Sequence, residues 1–196
     1  MALISSGRRQ HAAVPVQASP TGETTFAAGT PEPFSAKAFR YVTAALRLSL
    51  GWIFLWAFLD KLFGLGHETA SKQAWINGGS PTKGFLANAA AGPFADMYHN
   101  IAGDTWADWL FMIGLAGIGV ALIAGVTMRI AAACGALLLV LMWSAVLPPE
   151  NNVFMDDHLV YALILIALPL VKAGNTLGLG AYWERLPLVQ RYQALR

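Results

Sequence analysis

The chain has 196 residues, 56% of them hydrophobic and only 12% charged. Soluble domains carry about 25% charged residues, so this composition excludes an ordinary water-facing surface and points to a bilayer. A net charge of +2 without a basic cluster gives no footing for nucleic acid, and a single cysteine, Cys134, excludes an internal disulfide, a four-thiolate cluster, a CxxCH haem attachment and a CxxC redox pair.

Residues 1–36 contain Arg8, Arg9 and four prolines among many small residues, with no apolar core of a signal peptide, and read as a disordered tail. Four apolar segments follow, at about 41–65, 108–128, 130–148 and 153–172. A straight span takes about 20 residues. The fourth is free of charge only from Leu159 to Val171. To reach full length it must begin near Val153, which draws Asp156, Asp157 and His158 into the membrane rim. The expected fold is therefore all-α: a four-helix transmembrane bundle in a membrane domain of residues 37–173, followed by an amphipathic cytoplasmic tail over 174–196.

Orientation follows from lysine and arginine, which favour the cytoplasmic side. With the N-terminus inside, Arg8, Arg9, Lys37, Arg40, Arg129, Lys172, Arg185, Arg191 and Arg196 are cytoplasmic. Lys61, Lys72 and Lys83 then lie outside, and Arg47 is embedded. Both ends are expected in the cytoplasm of a bacterium, with the chain in its cytoplasmic membrane.

The loop from Gly66 to about Trp106 is long for a compact protein, which suggests partial folding or a function. Within it, Pro93 suits a first helical position, and Phe94, Met97, Tyr98 and Ile101 share one face. That pattern predicts a short helix lying on the outer leaflet or capping the bundle. Only Thr127, Met128 and Arg129 separate spans two and three, so these helices form a hairpin. Gly117, Ala121 and Gly125, with Ala131 and Gly135, are the small residues expected to let the backbones approach. Most tryptophans, Trp106, Trp109 and Trp143 among them, read as interfacial anchors.

Charges inside spans are functional candidates, because each costs at least about 2.5–3.5 kcal/mol at a helix centre. Arg47, Gly51, Phe54, Phe58 and Lys61 line one stripe of the first span, with Arg47 and Lys61 about 21 Å apart along the axis. Gly51 favours a stripe that faces the other helices, although long basic side chains can also snorkel to lipid phosphates. Spans two and three offer no acid, so the expected outer-rim pocket joins Lys61 to Asp157, with His158, Asn152, Tyr161 and Trp143 beside them. Asp156 or Asp157 has a plainer reading as a helix N-cap. A pocket of this kind suits a quinone: aromatic walls for the ring, donors for the carbonyls, and a titratable histidine for the two protons of reduction. In that reading Lys61, His158 and Asp157 act catalytically, and Arg47, Trp143, Asn152 and Tyr161 bind the cofactor. No metal, haem or iron–sulfur site is evident.

The stretch "RLSLGWIFLWAFLDKLFG" and the series Trp143, Pro148, Asn152, Phe154, Asp156, Asp157, His158 and Tyr161 resemble the DoxX/DoxD family of small four-helix membrane proteins. The loop "WINGGSPTKGFL" with the following "GPFA" is similar to that of DoxD-type members. The resemblance spans roughly residues 40–183. It implies a membrane subunit of a thiosulfate:quinone oxidoreductase, working with an extracytoplasmic DoxA-like partner. The alternative is a non-catalytic anchor or accessory subunit of a respiratory or redox-protection complex. A small transporter is a third reading, but the sequence lacks an inverted repeat or a pair of broken helices.

Overall fold

The computed structural model describes residues 34–195, and among them every regular element is helical. The expected tail lies almost wholly outside the described residues. Helix α1 runs Phe34–Phe63, 30 residues with no proline, and stops where Gly64 takes a positive φ of 65°. Two short helices, α2 (Lys83–Asn88) and α3 (Ala95–Asn100), interrupt the long loop. Helix α4 (Thr105–Ala124) ends on Gly125, whose left-handed backbone lets its N–H reach the carbonyl of Ala121 at 2.8 Å. After a tight turn come α5 (Met128–Ala145) and α6 (Asp157–Leu170). The C-terminal segment carries α7 (Gly180–Trp183) and α8 (Pro187–Arg191).

The bundle expectation is met in part. Helices α1, α4 and α5 are long and apolar enough to cross a membrane. The fourth expected span, over 153–172, contracts to the 14 residues of α6, about 21 Å of helix against about 30 Å of hydrocarbon. The cause is local. Asp156 has extended backbone and accepts the N–H of Leu159, so the helix begins only after it. Val153 to Met155 stay irregular.

Helices α1, α4, α5 and α6 share one core built on Leu50, Phe54, Met112, Leu122, Leu165 and Leu168. The expected α4–α5 hairpin is present, closed by the turn at Gly125–Thr127, but the more extensive partnerships are α1 with α4 and α5 with α6. Glycine placement explains the choice. A β-carbon at Gly119 would lie 2.8 Å from the backbone N of Leu55, and one at Gly51 would lie 2.9 Å from Ile123 Cγ1. Gly117, expected at a packed seam, has nothing within 4 Å of the same position. Gly135 does pack, against Leu165 of α6. In lipid such close approach is a main source of helix association. Gly119→Ala should therefore cost about 1–3 kcal/mol through overpacking. Gly117→Ala should be neutral or slightly stabilising, because alanine is the better helix former. Thermal melts of the two variants in detergent test the contrast, and equal midpoints would refute it.

Connections gather at two ends. One, the loop end, holds residues 64–104 and 146–156: Tyr98 Oη donates to Leu141 O at 3.0 Å, and Ala91 N to Ala145 O at 2.7 Å. The other, the turn end, holds Gly125–Thr127 and the C-terminal segment, where Arg129 donates to Gln193 O at 3.0 Å. The expected helix over residues 93–101 is only a turn of 3-10 helix and the six residues of α3. Of its four expected apolar residues, Tyr98 is buried and Ile101 packs beside it, while Phe94 and Met97 are exposed. It caps α5.

Candidate functional site

Arg47 is fully buried, so the basic stripe does turn inward at this point. Its guanidinium donates from Nη1 to the carbonyls of Leu122 and, at 2.8 Å, Ile123. From Nη2 it donates to Thr176 O at 3.2 Å and Leu177 O at 2.8 Å. Leu122 and Ile123 belong to the last turn of α4, whose carbonyls have no partner within the helix. A cation there also opposes the negative end of the helix dipole. Leu177 holds a φ of 52°, which a leucine rarely adopts, in the segment that offers its carbonyl to Arg47. The planar fork thus fastens α1 to α4 and to the chain beyond α6. Its role in the structure is a clamp on backbone oxygens. Only Nε has no partner.

The opposite end of α1 carries a second buried charge. Asp60 is 2% exposed and accepts the N–H groups of His67, Glu68 and Thr69 at 3.3, 3.1 and 2.9 Å. It pins the first turn of the long loop beneath α1. Asp108, in the first turn of α4, pins the next part: Oδ1 accepts from Ser80 Oγ at 2.8 Å, Thr82 N at 3.0 Å and Thr82 Oγ1 at 2.6 Å. Trp75 stacks edge-on against Trp109, with centroids 4.7 Å apart. Sequence reasoning assigned neither carboxylate a role. An acid in the first turn of a helix and a Ser-Pro-Thr turn were the available signals for Asp108.

Lys61 does not meet Asp157. Its ammonium pairs with Glu68 at 3.0 Å, seven residues along the chain, and Asp157 lies instead beside His158. The residues expected to act on or bind the quinone therefore divide. Arg47 is at the turn end, Lys61 is paired within its own loop, and the remaining residues cluster around the connection from α5 to α6.

That cluster is ordered by short-range bonds. Asn152 Oδ1 accepts the N–H groups of Phe154 and Met155 at 3.2 and 3.3 Å, and Trp143 Nε1 donates to Phe154 O at 2.6 Å. Asp156 caps α6 through Oδ1, and its Oδ2 lies 2.8 Å from His158 Nδ1. Asp157 Oδ1 is 3.4 Å from the same nitrogen, with its side chain largely exposed. Tyr161, one turn on, packs against the core. A groove of about 450 Å³ runs beside these residues, lined by Pro148, Glu150, Asn151, Asn152, Asp156 and Asp157 among others. Ligand atoms of Asp156, Asp157 and His158 come within 4.8 Å of one another, a spacing that capping and the His–Asp bond already explain. With Nδ1 committed to Asp156, His158 Nε2 is the nitrogen left to exchange a proton.

Among the described residues, three long apolar helices with exposed apolar side chains, and charges confined to the ends or clamped inside, point to a helical membrane protein in contact with lipid. Comparison with protein-family models, curated proteins and solved structures gives no match.

Proposed function

We propose that this chain is a non-catalytic membrane subunit within a quinone-linked oxidoreductase, the kind of assembly that the DoxD resemblance implies. The employment of its buried charges carries the reading. Arg47 and Asp60, the two buried charges of α1, both bond to backbone groups and so act as structural ties. The loop end, held by Asp60, Asp108 and Tyr98, is then a stable platform on which a redox partner subunit can work.

A second reading has its own observation. The ring of His158 is oriented by Asp156, which lines the groove, as a proton donor's would be, and a membrane quinone reduced there would take its protons through Nε2. The two readings separate in one assay: thiosulfate-dependent reduction of a soluble quinone analogue by the membrane assembly purified in mild detergent. The anchor reading expects His158→Ala to leave the rate of the intact assembly within about twofold. Loss of a working acid–base group costs typically about 10²–10⁴-fold, and a drop of that size would replace the first reading with the second.

A further inference from the structure

We propose that the turn end is a binding surface for anionic phospholipid headgroups, with the C-terminal segment as its foot. The segment is fastened on one side only. Val189 is fully buried, Trp183 Nε1 donates to Leu195 O at 2.6 Å, and Arg129 holds Gln193. Its other side presents Tyr182, Leu186, Leu188 and Tyr192, all exposed. Two cations are laid on the aromatic members of that row: the Arg185 guanidinium lies 5.7 Å from the Tyr182 ring centroid, and that of Arg191 lies 5.6 Å from Tyr192.

Charge at this end is nearly all of one sign. Arg129 and Lys172 join the two foot arginines, and Glu184, 3.8 Å from Lys172, is the only acid of the described C-terminal segment. The other described acids belong to the loop end or the residues leading from it. A shallow cleft of about 30 Å³ opens between Thr127, Arg129, Lys172, Asn175 and Glu184. It is too small to enclose a phosphate, so a headgroup would lie across its mouth, within reach of Arg129 and Lys172.

Depth identifies the occupant. These residues sit where α4 ends and α5 begins, two helices of spanning length, and so at the height of the headgroups. Exposed tyrosine and leucine interleaved with arginine is the composition that settles in that layer, apolar bodies toward the acyl chains and cations toward phosphate. A soluble polyanion would use the charges but leave the row of Leu186, Leu188 and the two tyrosines in water.

The test is native mass spectrometry of the full-length protein in detergent, titrated in parallel with phosphatidylglycerol and phosphatidylcholine. The wild type should prefer phosphatidylglycerol by about tenfold. A triple Arg129→Gln, Lys172→Gln, Arg185→Gln variant should fall to within about twofold of no preference, while Lys72→Gln with Lys83→Gln, at the loop end, should keep it. Arg185→Gln alone, at a fully surface position, should show a partial loss and covers the case in which the triple variant does not fold. Equal binding of the two lipids by the wild type would overturn the proposal. So would an unchanged preference in the variants, or displacement of the lipid by millimolar inorganic phosphate, which would assign the site to a soluble anion.

Discussion

Arg47→Met should lower the thermal midpoint of the purified protein by about 10 °C, the equivalent of roughly 3–5 kcal/mol for a chain of this size. Methionine keeps most of the buried volume but removes the donors that meet Leu122, Ile123, Thr176 and Leu177. The carbonyls of Ile123, Thr176 and Leu177 would then lose these donors at a site that is largely buried, where unsatisfied polar groups are costly. Arg47→Lys should recover only part of the loss. An ammonium is a point charge and cannot span two carbonyl pairs held on separate elements, as the planar guanidinium does. The expected order of midpoints is wild type, then lysine, then methionine. A methionine variant that melts within about 2 °C of the wild type would show that the clamp contributes little.

The same residue shows how far a sequence carries such an argument. Arg47 is conspicuous in an apolar run, and its inward direction follows from the stripe it shares with Gly51 and Phe54, both of which are buried. Its partners are invisible, because they are backbone oxygens, which every residue possesses. Reasoning by complementary side chains therefore looked for a ligand or an acid and passed over the ends of α4 and α6. Lys61 failed in the opposite way. Its acid lay seven residues ahead, but Gly64 and Gly66 fold the chain back at the end of α1, a reversal that helical geometry does not anticipate. Apolar run length located α4 and α5 well. Helix α1, however, begins at Phe34, seven residues before the expected span and within the last residues of the expected tail, because its first two turns are too polar to register as an apolar run. Run length overextended α6, where the capping preference of Asp156 outweighs the hydrophobicity of the three residues before it. The rim cluster was legible in part, since Asn152, Asp156, Asp157 and His158 are close in sequence and local bonds keep them so. Asp108 is tied to Ser80 and Thr82 across 28 and 26 residues of loop, a contact that no local pattern encodes.

Asp60→Asn is the sharper probe of the loop end, since it changes charge with almost no change in shape. The carboxylate now accepts three N–H groups from His67, Glu68 and Thr69 and donates nothing. An asparagine offers one oxygen to the same three donors and turns an amide NH₂ toward at least one of them. Hydrogen bonds to a charged acceptor are worth about 1.5–3 kcal/mol each, so a loss of roughly 2 kcal/mol in local stability is a conservative expectation. That corresponds to about thirtyfold faster amide exchange at residues 67–69 by local opening. The effect should stay local: the core at Leu50, Phe54 and Leu122 has no contact with this carboxylate, so amides of α4 and α5 should exchange as before. Hydrogen exchange read by mass spectrometry at peptide resolution distinguishes the outcomes. Acceleration spread across α4 and α5 would mean that Asp60 supports the whole bundle. Unchanged exchange at 67–69 would mean that the glycine-rich turn holds its shape without the carboxylate, and the platform at the loop end would then rest on its other ties, Asp108 and Tyr98 among them.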